Sequence, residues 1–347
     1  MIPVKNIYYM LAYAFSALRS KGYASIAAEE FDRTEDLLAA ILTKGINQQA
    51  KRGLKRDYVS TREDARSPKG KIDISSSIKM NSQIKGRLHC EFDEFTANNY
   101  LNQILKTASN KLLRSKISKD RSMALKRALS YLSSVDLLDE RKIVWNRRYD
   151  RNSRTYQMLV SVSYLVIRGL IQTENVGNLK IEVFDEEVMS RLYEKFVLEY
   201  FRAEHGKELS ATAPFVPWAL DDDYDNLLPA MRTDITLERR KSDSRNILII
   251  DTKYYTHSLQ TRFGRHSVHS ENLYQIFAYV KNMEAGLAAQ EIEHRISGML
   301  LYAKTDENIS LDESYKMSGN QITVRTLDLN QPFELVRQQL DSIAKTV

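Results

Sequence analysis

One stretch restricts this chain more than any other. Asn246 to Tyr255 reads Asn-Ile-Leu-Ile-Ile-Asp-Thr-Lys-Tyr-Tyr, a continuous apolar run that stops at Asp251-Thr252-Lys253. Such a run, short and without polar alternation, predicts a strand covered on both faces, and so a sheet with helices on either side. Its polar end predicts where the strand emerges from that cover. Side chains alternate along a strand, so Asp251 and Lys253 share one face and Thr252 takes the other. An anion and a cation thus stand side by side at the mouth of a core strand.

The preceding segment, Met231 to Leu237, reads as a strand carrying Asp234, and a turn at Lys241 to Ser244 folds Asp234 back beside Asp251. Paired carboxylates with a backbone carbonyl and water are the hard oxygen ligands that Mg²⁺ takes. Phosphodiester hydrolysis needs such an ion to polarise the phosphoryl oxygen and acidify a bound water, with a cation nearby to orient that water or offset charge. Lys253 supplies the cation. Glu194, embedded between Tyr193 and Phe196, is a further candidate ligand from a helix; its alternative is an exposed acid paired with Lys195 or Arg191. Gln275 and Tyr279 lie four apart, on one helical face, and either can position phosphate or the lysine; their alternative is a half-buried polar stripe. The triplet by itself is cheap, since Glu140-Arg141-Lys142 repeats it elsewhere, and a structural ion pair at a strand end remains open.

At 347 residues, with 43% hydrophobic and 28% charged side chains, the chain is long enough for two domains and too apolar for general disorder. The first half predicts helices over 6–20 and 34–52, paired strands within 57–95 broken by Ser67-Pro68-Lys69-Gly70 and Lys85-Gly86, helices from 98 and over 119–134, and a strand-like stretch at 141–149. The second half predicts helices over 154–173, 185–204, 270–285 and 331–345, with strands at 230–238, 246–255, 294–303 and 320–327. This order implies an α+β domain over 1–150 followed by an α/β domain over 151–347. The net charge of +6 favours a polyanionic partner, and the basic runs Lys51 to Arg56, Lys106 to Lys126 and Arg141 to Arg154 lie in the first half. They fit a DNA surface or an acidic protein surface equally. Cys90 is the lone cysteine, which excludes an intramolecular disulfide and a cysteine-rich zinc site and suits a reducing, cytoplasmic compartment. No stretch approaches the roughly 20 apolar residues that span a bilayer. No G-x-x-x-x-G-K-[ST] loop is present, so the chain is not expected to hydrolyse a nucleotide itself.

Three segments carry a resemblance: Leu227 to Thr236, Ile249 to Tyr255 and His269 to Tyr279. Together with Ile2 to Leu11 and Lys69-Gly70-Lys71-Ile72, they closely resemble the McrC family, the nuclease subunits of McrBC modification-dependent restriction systems. The resemblance implies a PD-(D/E)xK endonuclease domain with a mixed central sheet, joined to an N-terminal domain that docks on an McrB-type AAA+ GTPase ring and stimulates it. It further implies methylated DNA as substrate, Mg²⁺ as cofactor, Asp234 and Asp251 as ligands, Lys253 as the catalytic lysine, and supporting places for Glu194, Gln275 and Tyr279. Two departures stand out: no proline precedes Asp234 directly, and the second acid is aspartate rather than glutamate. A non-cleaving activator of the GTPase and a stand-alone nuclease are the competing readings.

Overall fold

The chain divides into two units that interleave along the sequence: Met1–Thr34 with Val183–Val347 form one, and Glu35–Glu182 form the other. The computed structural model describes residues 2–347 apart from 146–148, 150–152, 175–185, 223–226, 241–243, 256–259, 263–264, 289–292 and 305–309. The first elements are α1 (Val4–Ala14), α2 (Ala24–Ala27), α3 (Thr34–Arg52), β1 (Asp57–Ala65), β2 (Lys71–Ile72), α4 (Ile74–Lys79), β3 (Leu88–Thr96), α5 (Tyr100–Arg114), α6 (Lys119–Leu129) and α7 (Arg154–Glu174). Then come α8 (Glu186–Glu204), β4 (Ser210–Thr212), β5 (Phe215–Val216), β6 (Met231–Arg232), β7 (Ile235–Arg240), β8 (Ser244–Lys253), β9 (Gln260–Arg262), β10 (Arg265–Ser267), α9 (Ser270–Ala288), β11 (Glu293–Lys304), β12 (Asp312–Met317), β13 (Asn320–Asp328) and α10 (Phe333–Ala344).

In the unit built from Glu35–Glu182, helices hold a core and a small antiparallel sheet, ordered β1-β3-β2, extends from it. Asn99 caps α5 by accepting from the Asn102 backbone N–H, and the three- and four-residue spacing of Leu101, Ile104, Leu105, Ala108 and Leu112 buries one stripe. The Tyr156 hydroxyl on α7 donates to Asn102 Oδ1 at 2.8 Å and accepts from the Lys55 N–H at 3.0 Å. At Gly45 on α3, a Cβ would fall 2.2 Å from Leu159 Cδ2, so only glycine lets Leu159 seat there. The expected strand at 141–149 is absent from the described residues: Asp139 accepts from the Arg141 N–H and caps a 3₁₀ turn over Glu140–Lys142. Residues 146–148 of that stretch lie outside the described residues.

The other unit is a six-stranded mixed sheet in the order β12-β13-β11-β8-β7-β4, with β8, β11 and β13 parallel and the remaining pairs antiparallel. Ile247 and Ile249 of β8, Ile296 and Leu300 of β11, and Ile322 and Val324 of β13 pack with Ile276 and Val280 of α9. Gly298 lets α9 come close, since a Cβ there would meet Ile276, Ile322 and Val280 at 2.8, 2.9 and 3.0 Å. Helices α8 and α10 pack on β8 and β13. The edge strands β4 and β12 escape the sequence reading because one is three residues long and the other is almost wholly exposed, which leaves no apolar pattern.

The division between units differs from a boundary near 150. Helix α1 joins the sheet-bearing unit: Asn6 Nδ2 donates to the carbonyls of Leu329 and Gln331 at 2.7 and 2.8 Å, and Tyr9 stacks on Phe333 with ring centroids 4.1 Å apart. Helix α7, which a boundary at 150 gives to the second domain, packs on α5 instead. A linear reading cannot see either exchange, because the partners lie hundreds of residues away for α1 and beyond the expected boundary for α7. No helix among the described residues is long and apolar enough to cross a membrane.

Candidate active site

The site forms where β7 begins and β8 ends. Ile235 pairs with Ile250 in the antiparallel register, so Asp234, one residue ahead of β7, comes opposite Asp251. The Thr233 N–H donates to Pro214 O at 3.1 Å, and the Thr233 and Thr236 hydroxyls are 3.0 Å apart, which pins the backbone entering Asp234. This accounts for one departure from the proline-aspartate pattern, since proline at 233 lacks the N–H that Pro214 O accepts. The turn predicted at Lys241 to Ser244 falls largely on 241–243, outside the described residues.

Alternation along β8 places Asp251 and Lys253 on the face that α9 covers. Asp251 is 1% exposed, and neither of its carboxylate oxygens accepts a hydrogen bond. Lys253 Nζ lies 2.7 Å from Asp251 Oδ2, a close ion pair. Its hydrogen bond goes to Gln275 Oε1 at 3.0 Å, and Gln275 Nε2 in turn donates to the Tyr279 hydroxyl at 2.9 Å. One turn before Gln275, Asn272 Nδ2 donates to the Tyr302 hydroxyl at 2.9 Å, and Tyr302 is the register partner of Lys253 on β11. The lysine is therefore aimed by a chain of side chains from α9. Asn272 and Tyr302 carry no motif, so pattern reading misses them.

Charge crowding shows in the titration of these groups. Burial, then the neighbouring Asp234 carboxylate, push the Asp251 pKa up to about 7, against the opposing pull of Lys253. Glu194 on α8 is also raised, again by burial first and Asp234 second, with Arg232, Arg191 and Lys253 opposing. Burial works to lower the Lys253 pKa, but Asp251 together with Tyr255 and Asp234 outweighs it, and the ammonium is held above its ordinary value. Three acids and a lysine thus feel one another at one spot.

These residues fit a divalent cation of the Mg²⁺ kind. A buried carboxylate costs free energy unless something positive meets it, and Lys253 meets Oδ2 while Oδ1 is left without a partner. Asp234 and Asp251 are hard oxygen donors, and Mg²⁺ keeps most of its waters, so two carboxylates and a backbone carbonyl suffice. Among the described residues, no three His, Cys, Asp or Glu side chains are grouped so as to hold a metal ion together. Glu194 therefore sits near the pair electrostatically without completing such a group.

The family model of the McrBC 5-methylcytosine restriction system component matches residues 4–303. The "Type IV methyl-directed restriction enzyme EcoKMcrBC" of Escherichia coli K12 is 31% identical over 349 residues, covering 98% of this chain and 96% of the relative. Among solved structures, a refined half-complex from a tetradecameric assembly of Thermococcus gammatolerans McrB AAA+ hexamers with bound McrC aligns over 99% of this chain and 76% of that one, at 15% identity and a TM-score of 0.48. A cryo-EM structure of the Thermococcus gammatolerans McrBC complex aligns over 57% of each chain at 16% identity and a TM-score of 0.38. A match over most of the chain by the family model, and 31% identity over nearly all of it, place this chain in the family of McrBC 5-methylcytosine restriction system components.

Proposed function

We propose that this chain is the DNA-cutting subunit of a GTP-driven, methylcytosine-directed restriction complex, a Mg²⁺-dependent endonuclease of the PD-(D/E)xK type. The observation that carries the reading is the meeting of Asp234 and Asp251, the latter buried with Oδ1 unmet and Oδ2 facing the Lys253 ammonium, which Gln275 also holds. Bound by Asp234 and Asp251, Mg²⁺ would supply Lewis-acid polarisation of the scissile phosphate and an acidified water. Lys253, held beside Asp251 by Gln275, would offset the charge that develops on the phosphate oxygens. Gln275 and Tyr279 keep the ammonium from swinging away. Glu194 stands at the rim of the pair.

Family membership supports the substrate and the partner. The Escherichia coli relative is described as methyl-directed, and this chain lacks a phosphate loop of its own, so a separate McrB-type AAA+ GTPase would choose and move the DNA. The basic unit, Glu35–Glu182, is the part we assign to docking that ring and stimulating it. With a lone, buried Cys90, the protein suits a reducing cytoplasm.

The test incubates the full chain with Mg²⁺ and methylated or unmethylated DNA, with and without the co-encoded GTPase and GTP. Cutting of methylated DNA that requires GTPase, GTP and Mg²⁺ together is the expected result. Cutting by the chain alone points to a stand-alone nuclease, and GTPase stimulation without any cutting points to a non-cleaving activator.

A further inference from the structure

The middle residue of Asp251-Thr252-Lys253 points away from its neighbours by strand alternation, which makes it look like a spacer. Its contacts are those of a clamp. The Thr252 backbone N–H and its Oγ1 hydroxyl each donate at 2.8 Å to the same oxygen, Asp234 Oδ2. Thr252 is 5% exposed, so water does not compete well for either bond. A β-branched side chain has few χ1 choices, and threonine in a strand holds its hydroxyl in place at little entropic cost. With Oδ2 occupied by two donors, the Asp234 carboxylate cannot rotate freely, and its other oxygen is the one left for the Asp251 side.

We propose that Thr252 is a positioning residue that fixes the Asp234 carboxylate, and with it the spacing of the two acids, for a divalent cation. The inference rests on the metal-dependent reading above and deepens it: the segment that supplies one ligand and the lysine also locks the second ligand across the hairpin. One bond comes from the backbone and survives any substitution but proline. The hydroxyl supplies the second bond, which stops the carboxylate from turning about the first. Groups that orient a metal ligand in this way are typically worth about 10- to 100-fold in metal affinity.

The experiment is calorimetric titration of Mg²⁺ into the full chain as wild type, Thr252→Val, Thr252→Ser and Asp251→Asn, each first checked for an unchanged thermal transition. Valine keeps the branched shape and loses the hydroxyl, whereas serine keeps the hydroxyl. The expected result is Mg²⁺ binding weakened by about tenfold or more in Thr252→Val, retained within a few-fold in Thr252→Ser and lost in Asp251→Asn. In the reconstituted complex, the Mg²⁺ concentration for half-maximal cleavage should rise in Thr252→Val while the rate at saturating Mg²⁺ recovers. Wild-type affinity in Thr252→Val, with binding lost in Asp251→Asn, overturns the role of Thr252 and leaves the metal reading standing. Equal weakening in the serine and valine variants overturns it too, by assigning the effect to packing. Binding that Asp251→Asn leaves intact overturns the metal reading itself, and Thr252 falls with it.

Discussion

The two units of this chain are opposites in charge. Glu35–Glu182 carries 28 Lys and Arg against 16 Asp and Glu, a balance of +12, whereas the unit holding the candidate site carries 23 against 29, a balance of −6. The proposed cutting centre for a polyanion is thereby set in an acidic body. This follows from its chemistry: a cluster of carboxylates that holds a divalent cation repels phosphate until the cation arrives. Under that proposal attraction to anionic surfaces has to come from elsewhere, and the basic excess lies in Glu35–Glu182. The contrast leads us to propose that affinity and chemistry are separated along this sequence, so that each can be changed without the other.

The largest expected effect tests the chemical half. Lys253→Ala should slow single-turnover cleavage by the reconstituted complex by about 10²-fold or more, and Gln275→Leu by a smaller factor, because the lysine remains but is no longer aimed. Stimulation of GTP hydrolysis should stay at the wild-type level in both. A fall in GTP turnover parallel to the fall in cleavage breaks the separation. The converse change replaces the exposed Lys51, Arg52 and Arg56 with alanine. Stimulated GTP hydrolysis should drop by roughly tenfold and regain part of its rate at low salt, with Mg²⁺ affinity unaltered.

Packing in each unit gives a finer comparison. Gly45→Ala drives a methyl into Leu159, and Gly298→Ala drives one into Ile276, Ile322 and Val280; each should cost about 1–3 kcal/mol. Hydrogen exchange should show the first loosening α3 and α7 and the second loosening α9 and β11. Loosening of both units by either variant argues that they do not fold as separate bodies. The smallest effect concerns Asp341 on α10. Burial works to raise its pKa, but hydrogen bonds from the Tyr200 hydroxyl and His205 prevail and hold it below the ordinary carboxylate value. The unfolded chain thus takes up that proton at higher pH than the folded one, so the stabilisation is present above the unfolded value and is lost as pH falls through the folded one. Asp341→Asn should lower stability at neutral pH by under about 1 kcal/mol, since the carboxylate is partly solvated, with the gap closing in thermal melts as pH falls below the ordinary carboxylate value.

Strand β8 and the pairing of Asp251 with Lys253 were legible because a buried parallel strand writes its own signature: a run of aliphatic residues that ends where solvent begins. Helix α9 was legible for a similar reason, and with it the shared face of Gln275 and Tyr279. What the sequence hid has no periodicity. The docking of α1 near the start of α10 rests on Asn6 reaching the carbonyls of Leu329 and Gln331, more than three hundred residues away, and on Tyr9 stacking on Phe333. Thr252 hid behind the same alternation that revealed its neighbours, because a hydroxyl on the far face can still reach a carboxylate one strand across. Asn272 and Tyr302 are an ordinary polar residue and an ordinary core aromatic until the register sets Tyr302 beside Lys253. The first domain boundary was illegible because a unit assembled from both ends of a chain leaves no composition shift at the crossing.

The most direct test reconstitutes the complex with Asp251→Asn and follows GTP turnover and cleavage of methylated DNA in the same reaction. If Asp234, Asp251 and Lys253 form the cutting centre, GTP is hydrolysed at the wild-type rate and the DNA stays intact. Cleavage at the wild-type rate by Asp251→Asn would contradict the account.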